Sequence, residues 1–182
     1  FSAGQGGPEG TRRIGWLFFL SSGANVAWLL LWHYELVGLS LLAMLVLLGS
    51  LLAVYLRLGT GRTPTGRAER WFFRVPFSVY LGWITIASIA NVAVTLVSVG
   101  WDGFGISQET WAILIIIIAL LITLLVVATR KDIAYGLVII WASLGIAVKQ
   151  SGRQNIVMLI EVSAVLIALA LVVSILISRL RR

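Results

Sequence analysis

Two sets of residues recur at helical spacing with side chains suited to holding a ligand. Ser21, Asn25 and Trp28 are separated by four and three positions, and Tyr80, Trp83, Ala87 and Asn91 by three, four and four. On a helix each set shares one face. An amide in apolar surroundings demands partners, so both faces are expected to look into a bundle. Two roles fit them. In the first, Asn25 and Asn91 hydrogen-bond across helices, with Gly82 and Ala87 permitting close approach; spacing alone gives this role priority. In the second, the faces line a pocket whose aromatic walls and few amides hold a flat apolar molecule.

Other polar residues point to less. Glu161 is the one acidic residue clearly inside an apolar stretch, where it could serve a proton or a cation. Its place near a predicted helix N-terminus, on the side carrying Lys149 and Arg153, accounts for it without a site. His33 stands in the turn Trp32–Glu35; imidazole can ligate haem or chlorophyll, but no second axial candidate or attachment motif accompanies it. One His cannot build a Ser/His/Asp constellation, and the absence of Cys removes thiolate metal sites and nucleophiles. The glycines of LGTGRTPTG lack the strand and the Lys of a phosphate loop, leaving a basic turn with affinity for anionic lipid. The interior offers no acid/base pair, so the chain does not read as an enzyme.

The elements that must carry these residues follow from composition. Of 182 residues, 60% are apolar and 12% charged, about half the charge of a soluble domain. The apolar residues fall in six runs: 14–32, 36–56, 75–99, 111–129, 133–148 and 156–177. Each is read as a membrane-spanning helix, the fifth being the shortest. The fold class is therefore all-α, a polytopic helical membrane bundle. Twelve of the fourteen Lys and Arg residues lie in the N-terminal tail, the loops after the second and fourth runs, and the C-terminus; only Lys149 and Arg153 lie opposite. This bias predicts both ends in the cytoplasm and argues against a nucleic-acid groove, despite a net charge of +7. Trp16, Trp32, Trp71, Trp101 and Trp111 fall near run ends, as an interfacial belt requires; Trp28, Trp83 and Trp141 lie deeper and need partners or a ligand.

The stretch GANVAWLLLWHYELVGLSLLAMLVLL resembles the third and fourth helices of the translocator protein, or tryptophan-rich sensory protein (TspO/MBR), family, through Asn25, Ala27 and Trp28. VPFSVYLGWITIASIANV is similar to that family's fifth helix, through Pro76, Tyr80, Trp83, Ala87 and Asn91. The family has five helices, so the resemblance implies that its first two precede Phe1. The Tyr and basic residue of its proposed cholesterol motif are missing: Val92 follows Asn91, and no Lys or Arg comes later in that helix.

The resemblance implies a sensor or regulator of the bacterial inner membrane that binds a tetrapyrrole or a similar flat hydrophobic molecule, with Asn25, Trp28, Trp83, Ala87 and Asn91 lining the pocket. No cofactor is required; a bound tetrapyrrole or lipid is what the resemblance allows. Its expected partners are membrane lipids and a hydrophobic small molecule, with a homodimer or a larger complex as the assembly. The organisation expected is a polar segment 1–13, three family-like spans over 14–99 and a three-helix extension over 100–182. The competing reading is an accessory or structural subunit of a photosynthetic or respiratory membrane complex. A transporter is disfavoured, since the spans lack paired charges and an inverted repeat.

Overall fold

The computed structural model describes residues 8–60 and 66–180. Arg62, Arg181 and Arg182, used in the charge count, lie outside the described residues, as do the side chains of Arg12 and Arg13 and most of the segment 1–13. Six long helices run in order: α1 Pro8–His33, α2 Val37–Arg57, α3 Val75–Ser98, α4 Gln108–Arg130, α5 Ile133–Lys149 and α6 Gln154–Leu180. Among the described residues there is no strand. The observed helices follow the expected runs to within three residues at most ends. The exception is α1, which starts six residues early at Pro8, a residue whose missing N–H costs nothing in a first turn.

Among the described residues five helical segments are long and apolar enough to cross a membrane; α5, at 17 residues, is shorter. At 1.5 Å per residue α5 measures about 26 Å against a hydrocarbon core of about 30 Å. The surfaces of the helices are apolar outward: Leu42, Leu125, Leu137, Val148 and Leu169 are all exposed, which no water-facing bundle would sustain. Polar side chains turn inward, among them Ser21, Ser40, Ser50, Ser78, Ser88 and Asn91. Several of these hydroxyls satisfy themselves locally, Ser21 donating to the Phe18 carbonyl, Ser40 to Val37 and Ser50 to Leu47. The protein is an integral-membrane helical bundle.

The helices form two compact units, one of α1–α3 and one of α4–α6. In the first, α2 packs against both neighbours. Its buried seam, Ser40, Met44, Leu47, Leu51 and Val54, repeats at four, three, four and three, the spacing that keeps one stripe facing its partners. An edge contact between the Phe18 and Phe77 rings, 6.0 Å apart, ties α1 to α3. α3 is preceded by a π-helical turn, Arg70–Arg74, closed by the Val75 N–H donating to the Arg70 carbonyl. The buried Arg74 side chain reaches the Gly59 carbonyl at 3.4 Å and the Glu69 carboxylate at 3.3 Å, holding this turn against the end of α2.

In the second unit α6 packs on α4 and α5. Gly136 allows the close approach of α5 to α6, because a Cβ there would meet a Leu171 methyl at 2.9 Å. The α4–α5 turn needs two residues only: Lys131 takes the left-handed conformation, its N–H donating to the Val127 carbonyl, and Asp132 caps α5 by accepting from the Tyr135 N–H. Ahead of α4, the Ser107 hydroxyl accepts from the Thr110 N–H, and the Glu109 carboxylate accepts from the Asn155 amide of α6 at 3.1 Å.

Candidate ligand site

At the α1–α2 turn end of the first unit an open cleft of about 410 Å³ is lined by Trp32, His33, Glu35, Val37 and Val94. Its walls come from all three helices. The turn is tight because Glu35 takes a left-handed backbone (φ 58°), which lets Leu36 N–H return to the Leu31 carbonyl. One helical turn deeper, about 5 Å along each axis, stand Trp28 below Trp32, Ser40 below Val37 and Asn91 below Val94. The Trp28 and Trp32 rings lie 6.2 Å apart and tilted by 33°, so the aromatic wall is continuous from the cleft inward.

The deeper layer is polar and incompletely satisfied. Asn91, 2% exposed, donates through Nδ2 to the Ser40 hydroxyl at 3.5 Å, while its Oδ1 is buried with no partner. The Trp28 Nε1 is likewise buried and unpartnered, as is Ser88 Oγ one turn from Asn91. The layer therefore presents one uncommitted donor, one uncommitted amide acceptor and a hydroxyl. Leaving such groups unmade costs about 1–3 kcal/mol each.

The five residues singled out from the sequence divide in position. Trp28 and Asn91 lie beneath the cleft as described, and Asn25 is half-buried one turn before Trp28 on α1. Ala87 is half-buried, but Trp83 keeps 46% of its surface exposed and lies about 12 Å along α3 from Asn91, at 1.5 Å per residue. The buried stripe of α3 is Leu81, Ile84, Ser88 and Asn91, at spacings of three, four and three. Stepping back from Asn91 by four twice, to Ala87 and Trp83, rotates about 80° away from that stripe at 100° per residue, which is why Trp83 emerges on the outer side. Trp141, also expected deep, is exposed on α5, and Glu161 is exposed on α6. Ser40 and Ser88 were not singled out. The signal for Ser40 was its place as the one polar member of an otherwise apolar four-three repeat in α2.

A family model described as TSPO-like protein matches residues 1–177. The chain belongs to the TSPO-like family. The match runs through all six helices, so the likeness is not confined to the stretch before Val99 that carried the motifs. No curated protein and no solved structure matches the chain. In this TSPO-like membrane protein Asn91 of α3 meets Ser40 of α2 at 3.5 Å, and Trp28 of α1 stands beside Trp32 with its Nε1 buried.

Proposed function

We propose that this TSPO-like protein is a sensor or regulator, not an enzyme, that binds a flat hydrophobic molecule of the tetrapyrrole class in the α1–α3 cleft. The observation that carries the reading is the pair of buried, unpartnered polar atoms, Trp28 Nε1 and Asn91 Oδ1, one turn beneath an aromatic-walled cleft. A ligand lying along the Trp32 and Trp28 rings would offer an acceptor to the indole N–H and a donor to the amide oxygen. The cleft volume lies within the 300–1,000 Å³ usual for small-molecule sites. Its position at one end of the helices lets a hydrophobic ligand enter from the membrane interface.

The basic side of the chain is assigned to the cytoplasm of a bacterial inner membrane, which puts the cleft on the opposite side. The test is a protoporphyrin titration of the full chain in lipid nanodiscs, followed by tryptophan fluorescence. The reading expects saturable quenching at one ligand per chain; quenching that rises linearly with porphyrin, as simple partition into lipid gives, rejects it.

A further inference from the structure

The π-helical turn that opens α3 has a surface that neither the cleft nor helix packing uses. Trp71, Phe72 and Phe73 are three consecutive large rings, all exposed, Phe72 at 77%. A π turn advances more residues per revolution than an α turn, so consecutive side chains fan across one side while Arg74 turns inward. Arg74 and Glu69 neutralise each other in their ion pair, leaving Arg70 as the exposed cation of this turn. The Arg74–Gly59 hydrogen bond brings the turn beside the end of α2, where the exposed Arg57 adds a second positive charge two residues before Gly59. The result is apolar rings next to two cations, at the boundary of two spanning helices.

We infer that this turn is a binding site for an anionic glycerophospholipid, its phosphate held by Arg70 and Arg57 and its acyl chains lying against Trp71, Phe72 and Phe73. Charge complementarity selects the occupant. A zwitterionic lipid satisfies the rings but brings a cation of its own to two guanidinium groups, and a soluble phosphate satisfies the guanidinium groups but leaves the rings uncovered. Each basic residue close to an anionic surface contributes about 1 kcal/mol. The site is independent of the cleft and of the orientation of the chain.

The experiment is thermal unfolding of the full chain in a neutral detergent with phosphatidylglycerol, phosphatidylcholine or glycerol phosphate added. Phosphatidylglycerol is expected to raise the midpoint saturably, phosphatidylcholine much less, and glycerol phosphate not at all. Arg70→Gln, at an exposed position that leaves the fold intact, is expected to weaken the phosphatidylglycerol effect about fivefold, the equivalent of one such charge. Arg153→Gln, in the α5–α6 turn of the second unit, is expected to leave it unchanged. Phe72→Ser is expected to weaken retention of both lipids, read by native mass spectrometry. Equal stabilisation by the two lipids, stabilisation by glycerol phosphate, or an Arg70→Gln response no larger than that of Arg153→Gln overturns the site.

Discussion

The Asn91 carboxamide of α3 donates to the Ser40 hydroxyl of α2 across 3.5 Å, and the Ser40 hydroxyl donates in turn to the Val37 carbonyl at 2.7 Å. The two bonds run in series, so the hydroxyl is committed as both donor and acceptor at the layer beneath the cleft. At 3.5 Å the Asn91 bond is long, at the edge of what counts as a hydrogen bond. Interhelical bonds in bilayers average about 0.6 kcal/mol. A double-mutant cycle over Ser40→Ala and Asn91→Ala, measured by reversible unfolding in mixed micelles, is therefore expected to give a coupling of about 0.5 kcal/mol. A coupling near zero would mean that the two side chains do not meet in the bilayer.

Packing in the second unit makes a sharper demand. Because the Gly136 position faces the Leu171 side chain at 2.9–3.3 Å, Gly136→Ile overfills the α5–α6 contact and is expected to destabilise by about 1–3 kcal/mol. Gly145, with nothing within 4 Å of its would-be Cβ, supplies the comparison: Gly145→Ala is expected to be neutral or to stabilise by up to about 1 kcal/mol through helix propensity. Thermal midpoints of the two variants, ranked in the opposite order, would contradict the Gly136 contact.

The loop ahead of α4 holds Phe104 at φ 55°, a conformation that costs a bulky residue about 1–2 kcal/mol. Two side chains keep it there: the Asp102 carboxylate accepts from the Phe104 N–H at 3.0 Å, and the Trp111 Nε1 donates to the Gly103 carbonyl at 2.9 Å. Trp111→Phe keeps a ring of similar shape but removes the second bond, worth about 1 kcal/mol. Amide hydrogen exchange over residues 103–106 is expected to quicken about fivefold in this variant and again in Asp102→Ala; unchanged exchange would show that neither bond restrains the loop.

Much of this fold was legible because a spanning helix is written in the sequence as a run of apolar residues bounded by charge and turn residues. The bounds of α2, α3 and α5 follow the apolar runs 36–56, 75–99 and 133–148 to within one residue. Which side of each helix is buried was less legible. On α3, Asn91 has Ser88 three residues back and Ala87 four back; the spacing and the family resemblance ran through Ala87 to Trp83. The structure buries Ser88 and Asn91 on one stripe with Leu81 and Ile84, while Ala87 is half-buried and Trp83 keeps 46% of its surface exposed. The cleft could not be read at all, since it depends on Val37 and Val94, two residues with no chemistry of their own that meet only when α2 lies between α1 and α3.

The orientation proposed from the charge bias is open to a direct check, helped by the absence of Cys from the sequence. Gly66 and Ile106, both exposed, precede and follow α3 in the sequence and are the positions for single introduced cysteines. A membrane-impermeant maleimide applied to intact bacterial cells is expected to label Ile106→Cys and to reach Gly66→Cys only after lysis. The reverse pattern would place the basic loops outside.

The central claim is that the ligand lies over Trp28 and Asn91 and away from Trp83, and the dissociation constant of protoporphyrin for three variants of the full chain in nanodiscs tests it most directly. Asn91→Ala removes the unpartnered Oδ1 together with Nδ2, Trp28→Phe removes the unpartnered Nε1, and each is expected to weaken binding about five- to tenfold, the equivalent of about 1 kcal/mol or slightly more for a single hydrogen bond to the ligand. Trp83→Ala, removing a half-exposed ring about 12 Å along α3, is expected to leave the constant within twofold of the unaltered chain. Binding that Trp83→Ala weakens while Asn91→Ala and Trp28→Phe leave it intact would contradict the account and move the ligand to the outer face of α3.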